Sequence, residues 1–146
     1  MFTTLLVALD GGPQHDAVLD LVAQVAGPRS RVHLLCVIDP GFALSADAGD
    51  DDRREYPAAA RQRSRAEGLL QDAAAQLRER GVDACSLLPA GDPAEVISAQ
   101  ARELDADLLV IGHRHLSRLQ RLLDSSVAQW TLDHAPCPVL VETRGG

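Results

Sequence analysis

Apolar positions along the chain alternate between short continuous runs and helical stripes. Leu5 to Leu9 (LLVAL) is a continuous run closed by Asp10-Gly11-Gly12-Pro13. Such a run between turn residues predicts a strand buried on both faces. Pro13 suits the first position of a following helix. Val18, Leu21, Val22 and Val25 then recur at helical spacing and share one face. Gly27-Pro28 stops that helix. Val32 to Ile38 (VHLLCVI) predicts a second buried strand, closed by Asp39-Pro40-Gly41.

A long helix is expected from about Ala59 to Arg80. Ala66, Leu69, Leu70, Ala73, Ala74 and Leu77 form its stripe, and Gly81 ends it. Val82 to Leu88 reads as a weaker strand. Asp92 can cap the next helix, with Pro93 at its first position and Glu95 completing a capping box. Ile97, Ala101 and Leu104 face inward. Leu108 to Ile111 is another strong apolar strand, ending at Gly112. A final helix is expected somewhere between Leu116 and His134. Pro136-Cys137-Pro138 breaks it before the last strand, Val139 to Glu142.

Strands and helices therefore alternate throughout. That order predicts an α/β fold: a five-stranded, mostly parallel sheet of Rossmann-like type with helices on both faces. Ligands in such folds bind beyond the carboxyl ends of strands, where strand order reverses. The strand exits are Asp10, Val37 to Asp39, and Gly112 onward.

At 146 residues the chain has the size of one domain, spanning 1–146. Residues 43–60 break the periodicity with Asp47, Asp50, Asp51, Asp52 and Glu55, and read as a flexible acidic loop. As a cation site this segment lacks the spacing of a calcium loop. The net charge of -7 argues against nucleic acid and anionic membranes as partners. No apolar run reaches the ~20 residues of a membrane span. The first residues lack a basic leader, so a cytoplasmic location is expected. Three distant cysteines, Cys36, Cys85 and Cys137, suit neither a disulfide framework nor a CxxC site. All 14 basic residues are arginine. That excludes a Walker lysine, a Schiff-base lysine, and the lysine of a response-regulator receiver. No GxSxG elbow is present. No catalytic residue and no metal ligand set is nominated.

After Gly112 the chain runs HRHLSRLQRLLDSSV and later HAPCPVLV. Together with LLVALDG (Leu5 to Gly11), LCVID (Leu35 to Asp39), Gly91-Asp92-Pro93 and LLVIG (Leu108 to Gly112), it resembles the universal stress protein family along essentially the whole chain. The resemblance implies a small cytoplasmic regulatory module of the stress response, with a fold like that of the adenine nucleotide alpha-hydrolases. It also implies dimers through the last strand, Val139, Leu140 and Val141. That strand would be an apolar sheet edge at the end of the chain, which invites pairing with a twin.

One group in this family binds ATP through a glycine motif: glycine, two residues, glycine, nine residues, glycine, then serine or threonine. Here Gly112 fills the first glycine, His115 stands at the second, Ser125 at the third, and Ser126 at the hydroxyl position. By resemblance, Ala8 and Asp10 would lie at the ribose or adenine, Val37 would offer backbone contacts to the adenine edge, and Ser126 and Val127 would lie near the phosphates. Glycines let backbone amides approach phosphate oxygens closely. His115 puts a side chain there, and Asp124 adds a negative charge. Against that, His113, Arg114, His115, Arg118 and Arg121 form a basic segment, and arginine grips phosphate through paired hydrogen bonds. Arg114 and Arg118 are the candidate phosphate contacts.

Two readings of the site stay open: one degraded, one rebuilt around side chains. The first function is a stress-response module binding an adenine nucleotide, ATP with magnesium or AMP. The alternatives are a nucleotide-independent dimeric scaffold for protein partners, and a slow ATP hydrolase. Plainer readings accompany individual residues. Asp10 reads as a turn cap, and His113 and His115 as solvated loop histidines. His134 reads as a helix-dipole partner, Cys36 as a buried inert thiol, Cys137 as structural, and Trp130 as packed under a helix.

Overall fold

The computed structural model describes residues 2–38, 57–122 and 134–145, with the side chains of Pro57 and of 118–122 left aside. Its elements in chain order are β1 (Phe2–Ala8), α1 (His15–Val25), β2 (Ala26–Leu35), α2 (Pro57–Glu79), β3 (Asp83–Leu87), α3 (Pro93–Glu103), β4 (Leu108–Gly112), α4 (His113–Leu122) and β5 (Val139–Glu142). The strands form one sheet in the order β3-β2-β1-β4-β5, and every pairing is parallel. The expected α/β architecture is the one observed.

Alternation along the strands divides the core into two layers. Leu5, Val7, Val32, Leu34, Leu108 and Val110 face α1 and α2, meeting Val18, Leu19, Val22, Leu70, Ala73 and Leu77. Leu6, Ala8, Leu35, Leu109 and Ile111 face the other way, onto Ile97 and Ala101 of α3 and Leu116 of α4. Each central strand loses side chains to both layers, which explains its continuous apolar sequence. Replacing one of these buried leucines by alanine should cost about 2–5 kcal/mol.

β1 runs Phe2–Ala8 rather than Leu5 to Leu9, and β2 ends at Leu35 rather than Ile38; four further differences concern where elements start. Pro13 is not the first residue of α1. The His15 amide donates to the Gly12 carbonyl at 3.2 Å, and Gln14 has φ -92 and ψ 5. Those angles put Pro13 and Gln14 at the two corners of a type I turn, where proline is favoured at the first corner. Second, β2 starts at Ala26, not Val32, and runs through Gly27-Pro28. The register to β1 shifts between Phe2 and Thr4, so Pro28 lies in an irregular stretch. The Ser30 hydroxyl mends it, accepting from the Gly27 amide at 2.8 Å and donating to the Phe2 carbonyl. Third, α2 takes in residues 57–60 of the expected acidic loop, whose residues 43–56 lie outside the described part. Fourth, α4 begins at His113, directly after β4, ahead of the helix expected between Leu116 and His134.

The cap and the proline at the start of α3 are as read. The Asp92 side chain accepts from the Glu95 amide at 3.1 Å, with Pro93 in the first turn. Such a cap is worth about 1 kcal/mol.

Candidate functional site

Strand order reverses between β1 and β4: the chain goes from β1 outward to β2 and β3, then returns to β4 and β5 on the other side. The carboxyl ends of these two strands meet in a cleft. Its lining includes Ala8, Asp10, Gln14, Gly112, Arg114 and His115. The cleft is narrow, with about 10 Å³ of free space, close to what one water molecule needs.

Local chemistry shapes its β1 side. Gly11 has φ +75, a conformation that favours glycine. The chain thereby turns back so that the Gly12 amide donates to Asp10 Oδ1 at 2.9 Å. Asp10 thus caps its own turn while remaining half-buried in the cleft wall.

The β4 side is organised by a residue the sequence reading passed over. Gln14 is buried, with 4% of its surface exposed. Its Oε1 accepts from the Arg114 amide, in the first turn of α4, at 2.9 Å. Its Nε2 donates to the carbonyls of Glu142 and Arg144, each at 2.8 Å, with His113 Nδ1 a further neighbour at 3.0 Å. One amide therefore ties the β1 exit, the start of α4 and the end of β5. Early helix amides lack partners within the helix and attract anions. In this cleft the Arg114 amide already has one. The only local signal for Gln14 was a long amide side chain next to a turn proline.

Gly112 belongs to this arrangement. A Cβ at Gly112 would meet Gln14 Oε1 at 2.7 Å, so the glycine makes room for the glutamine. His113 and His115 are helical and half-buried, not solvated loop residues. A helix forms here because His115 stands where the motif has a flexible glycine, and because Gln14 satisfies the Arg114 amide. His115 Nδ1 lies 3.4 Å from the Ala8 carbonyl, across the cleft. Arg114 is exposed at the mouth. Val37 is not among the cleft-lining residues and packs against the α3-side core. Cys36 is buried, and burial together with the charge of Asp10 pushes its thiol up to about 11. Cys137 is half-buried and packs against the α3-side core; burial raises its pKa, as does the charge of Asp107. His134 is exposed, and its carbonyl accepts from Arg102 at 3.4 Å.

Ser125, Ser126, Val127, Asp124 and Trp130 lie outside the described residues, as does the side chain of Arg118. The structure therefore brings together Ala8, Asp10, Gly112, Arg114 and His115 from the sequence-derived set, and adds Gln14. Among the described residues no three His, Cys, Asp or Glu side chains converge as metal ligands. No helix there is long and apolar enough to cross a membrane.

A family model described as the universal stress protein family matches residues 1–142. The chain is 32% identical over 117 residues to a universal stress protein A-like protein of Arabidopsis thaliana, covering 77% of this chain and 65% of that protein. It is 28% identical over 156 residues to a universal stress protein of Bacillus subtilis, covering 97% of this chain and 99% of that protein. A crystal structure of a family protein from Burkholderia pseudomallei is 29% identical, with a TM-score of 0.61, covering 95% of this chain and 94% of that one. Two more distant structures share the fold. A universal stress protein from Archaeoglobus fulgidus, in complex with dAMP, is 23% identical with a TM-score of 0.65, covering 97% and 98%. A family protein from Arabidopsis thaliana, with AMP bound, is 22% identical with a TM-score of 0.60, covering 95% and 90%.

Proposed function

Because the chain belongs to the universal stress protein family, we propose that it is a cytoplasmic stress-response module that binds an adenine nucleotide in the cleft between the ends of β1 and β4. The position of that cleft, at the point where strand order reverses, carries this reading. Fold relatives in complex with AMP and dAMP support the ligand class. In the bound state Asp10 meets the ribose, the backbone near Ala8 meets the base, and Gly112 faces the phosphate. Arg114, with Arg118, supplies the positive charge, and Ser125, Ser126 and Val127 close the phosphate side. His115 has to swing off the Ala8 carbonyl to admit the ligand.

The ligand we favour is a nucleoside monophosphate. A polyphosphate needs several free backbone amides, and Gln14 already holds the one at Arg114. Magnesium would enter only with the phosphates of ATP, since no carboxylate cluster is present among the described residues. His115→Gly tests the site. It restores the glycine at the second motif position and empties the cleft, and AMP should bind on the order of tenfold tighter, about 1.4 kcal/mol. Unchanged or weaker binding in a folded variant would overturn the placement of the site.

A second reading concerns assembly. β5 is a sheet edge, and its Val139, Leu140 and Val141 are only half-buried. We propose that a second copy pairs along it, giving a homodimer that can present surfaces to protein partners.

A further inference from the structure

The opposite edge of the sheet carries a separate constellation. His33 on β2 and Cys85 on β3 are register partners, and His33 Nδ1 lies 3.1 Å from Cys85 Sγ. β3 is an edge strand, and Cys85 is the exposed cysteine of the three. One pair along on the same face, Arg31 Nε faces Asp83 Oδ2 at 3.6 Å. Thiol, imidazole and a guanidinium–carboxylate pair thus sit together at an open rim, and none of them lines the cleft at the strand exits.

The resting protonation follows from the surroundings. Partial burial, then the positive charge of Arg31, lower the pKa of His33, and Asp83 only partly opposes them. The imidazole is therefore the free base at neutral pH. Partial burial raises the pKa of Cys85; Arg31 pulls it down, and the charge of Asp83 pushes it up again. With the ring hydrogen on Nε2, Nδ1 is an acceptor and the Cys85 thiol donates to it. A neutral thiol beside a free base is inert alone but ready to lose its proton when an electrophile arrives.

We propose that Cys85 is a thiol-exchange site at which His33 accepts the proton as the sulfur attacks a small disulfide of the glutathione type. In the step, a bond forms between Cys85 Sγ and one sulfur of the disulfide. The disulfide's own S–S bond breaks, and its other sulfur leaves as a thiolate with the bonding electrons. The Cys85 proton passes to His33 Nδ1 and from there to the leaving thiolate. The disulfide is the only oxidant required: one disulfide is consumed, and one mixed disulfide and one thiol are produced. Arg31 favours the charge that develops on sulfur and suits the carboxylates of a glutathione-type partner. A metal is the weaker fit for the same pair, because no third ligand joins it among the described residues.

The test uses the purified full chain with oxidised glutathione, adducts mapped by mass spectrometry, and rates followed against pH. The first adduct should fall on Cys85, and Cys85→Ser should abolish it without a compensating fast adduct on Cys36 or Cys137. His33→Gln keeps a polar side chain that cannot titrate. It should slow the reaction at neutral pH on the order of a hundredfold, and remove the shoulder on the acid side of the rate profile. Preferential labelling of Cys137, or an unchanged rate and profile in His33→Gln, would overturn the proposal. Should His33→Gln fail to fold, the wild-type profile decides: a rate that tracks a single thiol ionisation well above neutral overturns it.

Discussion

Gln14 and Arg114 stand 100 residues apart in sequence, yet the Gln14 side-chain carbonyl accepts from the Arg114 amide at 2.9 Å. This contact decides the shape of the strand-exit cleft. It caps α4, fixes its start against the β1 exit, and occupies an amide that an anion would otherwise take. The same side chain reaches the carbonyls of Glu142 and Arg144, so the end of β5 is held as well.

Gln14→Ala should therefore destabilise the protein by about 1–3 kcal/mol, since it strands the buried Glu142 carbonyl together with the part-buried Arg114 amide and Arg144 carbonyl. Gln14→Glu should fare no better. A carboxylate can accept from Arg114 but would face two carbonyl oxygens with nothing to donate. Urea unfolding of both variants checks this. A glutamate variant as stable as wild type would contradict the assigned orientation of the amide.

Gly112→Ala should cost about 1–3 kcal/mol, because its Cβ would meet Gln14 Oε1 at 2.7 Å. In the Gln14→Ala background the same change should cost far less. A double-mutant cycle by urea unfolding measures the difference. Strict additivity would mean that the glycine serves something other than the glutamine.

Asp107 joins the amino end of β1 to the start of β4, accepting from the Thr3 amide and hydroxyl and from the Thr4 amide at 2.8, 2.9 and 3.0 Å. Partial burial alone would raise its pKa. The hydrogen bonds from Thr3 and Thr4 outweigh that and hold it below its ordinary value of 3.8. A carboxylate with a depressed folded pKa stabilises the fold above its unfolded pKa and loses that contribution as pH falls through the folded one. Asp107→Asn should lower Tm at pH 7, and the gap to wild type should close below about pH 3.8. A gap that persists unchanged into strong acid would contradict this origin.

If copies pair along β5, sedimentation of the wild type should give twice the 15.6 kDa chain mass. Leu140→Asp, which puts a charge into the edge strand, should move the mass to that of one chain, or unfold the protein if packing on the sheet dominates. A folded variant that keeps the dimer mass would contradict edge pairing.

What the sequence made legible was local. Leu5 to Leu9 and Leu108 to Ile111 announce central strands because both faces of each are covered, leaving no polar position. Asp92, Pro93 and Glu95 announce α3 because a cap acts within three residues. The start of α4 gave no such signal, because its cap comes from Gln14 across the sheet. Pro13 suited two roles with the same backbone angle, first helical residue and turn corner, and only the Gly12–His15 hydrogen bond separates them. For the cleft, the sequence offered three strand exits, and Asp10, Gly112 and His115 supplied part of the wall; which exits meet depends on the strand order, a long-range property. The pairing of His33 with Cys85 was invisible, because it depends on the register of β2 against β3.

The central claim is that the cleft between β1 and β4 takes an adenine nucleotide and prefers the monophosphate. Calorimetric titration of the wild-type protein, stripped of any co-purifying nucleotide, with AMP and with ATP and magnesium tests it most directly. The expected result is saturable micromolar binding of AMP at one site per chain, and weaker binding of ATP. Heat of dilution alone with both nucleotides up to millimolar concentration would contradict it, and tighter binding of ATP than of AMP would contradict the role given to Gln14.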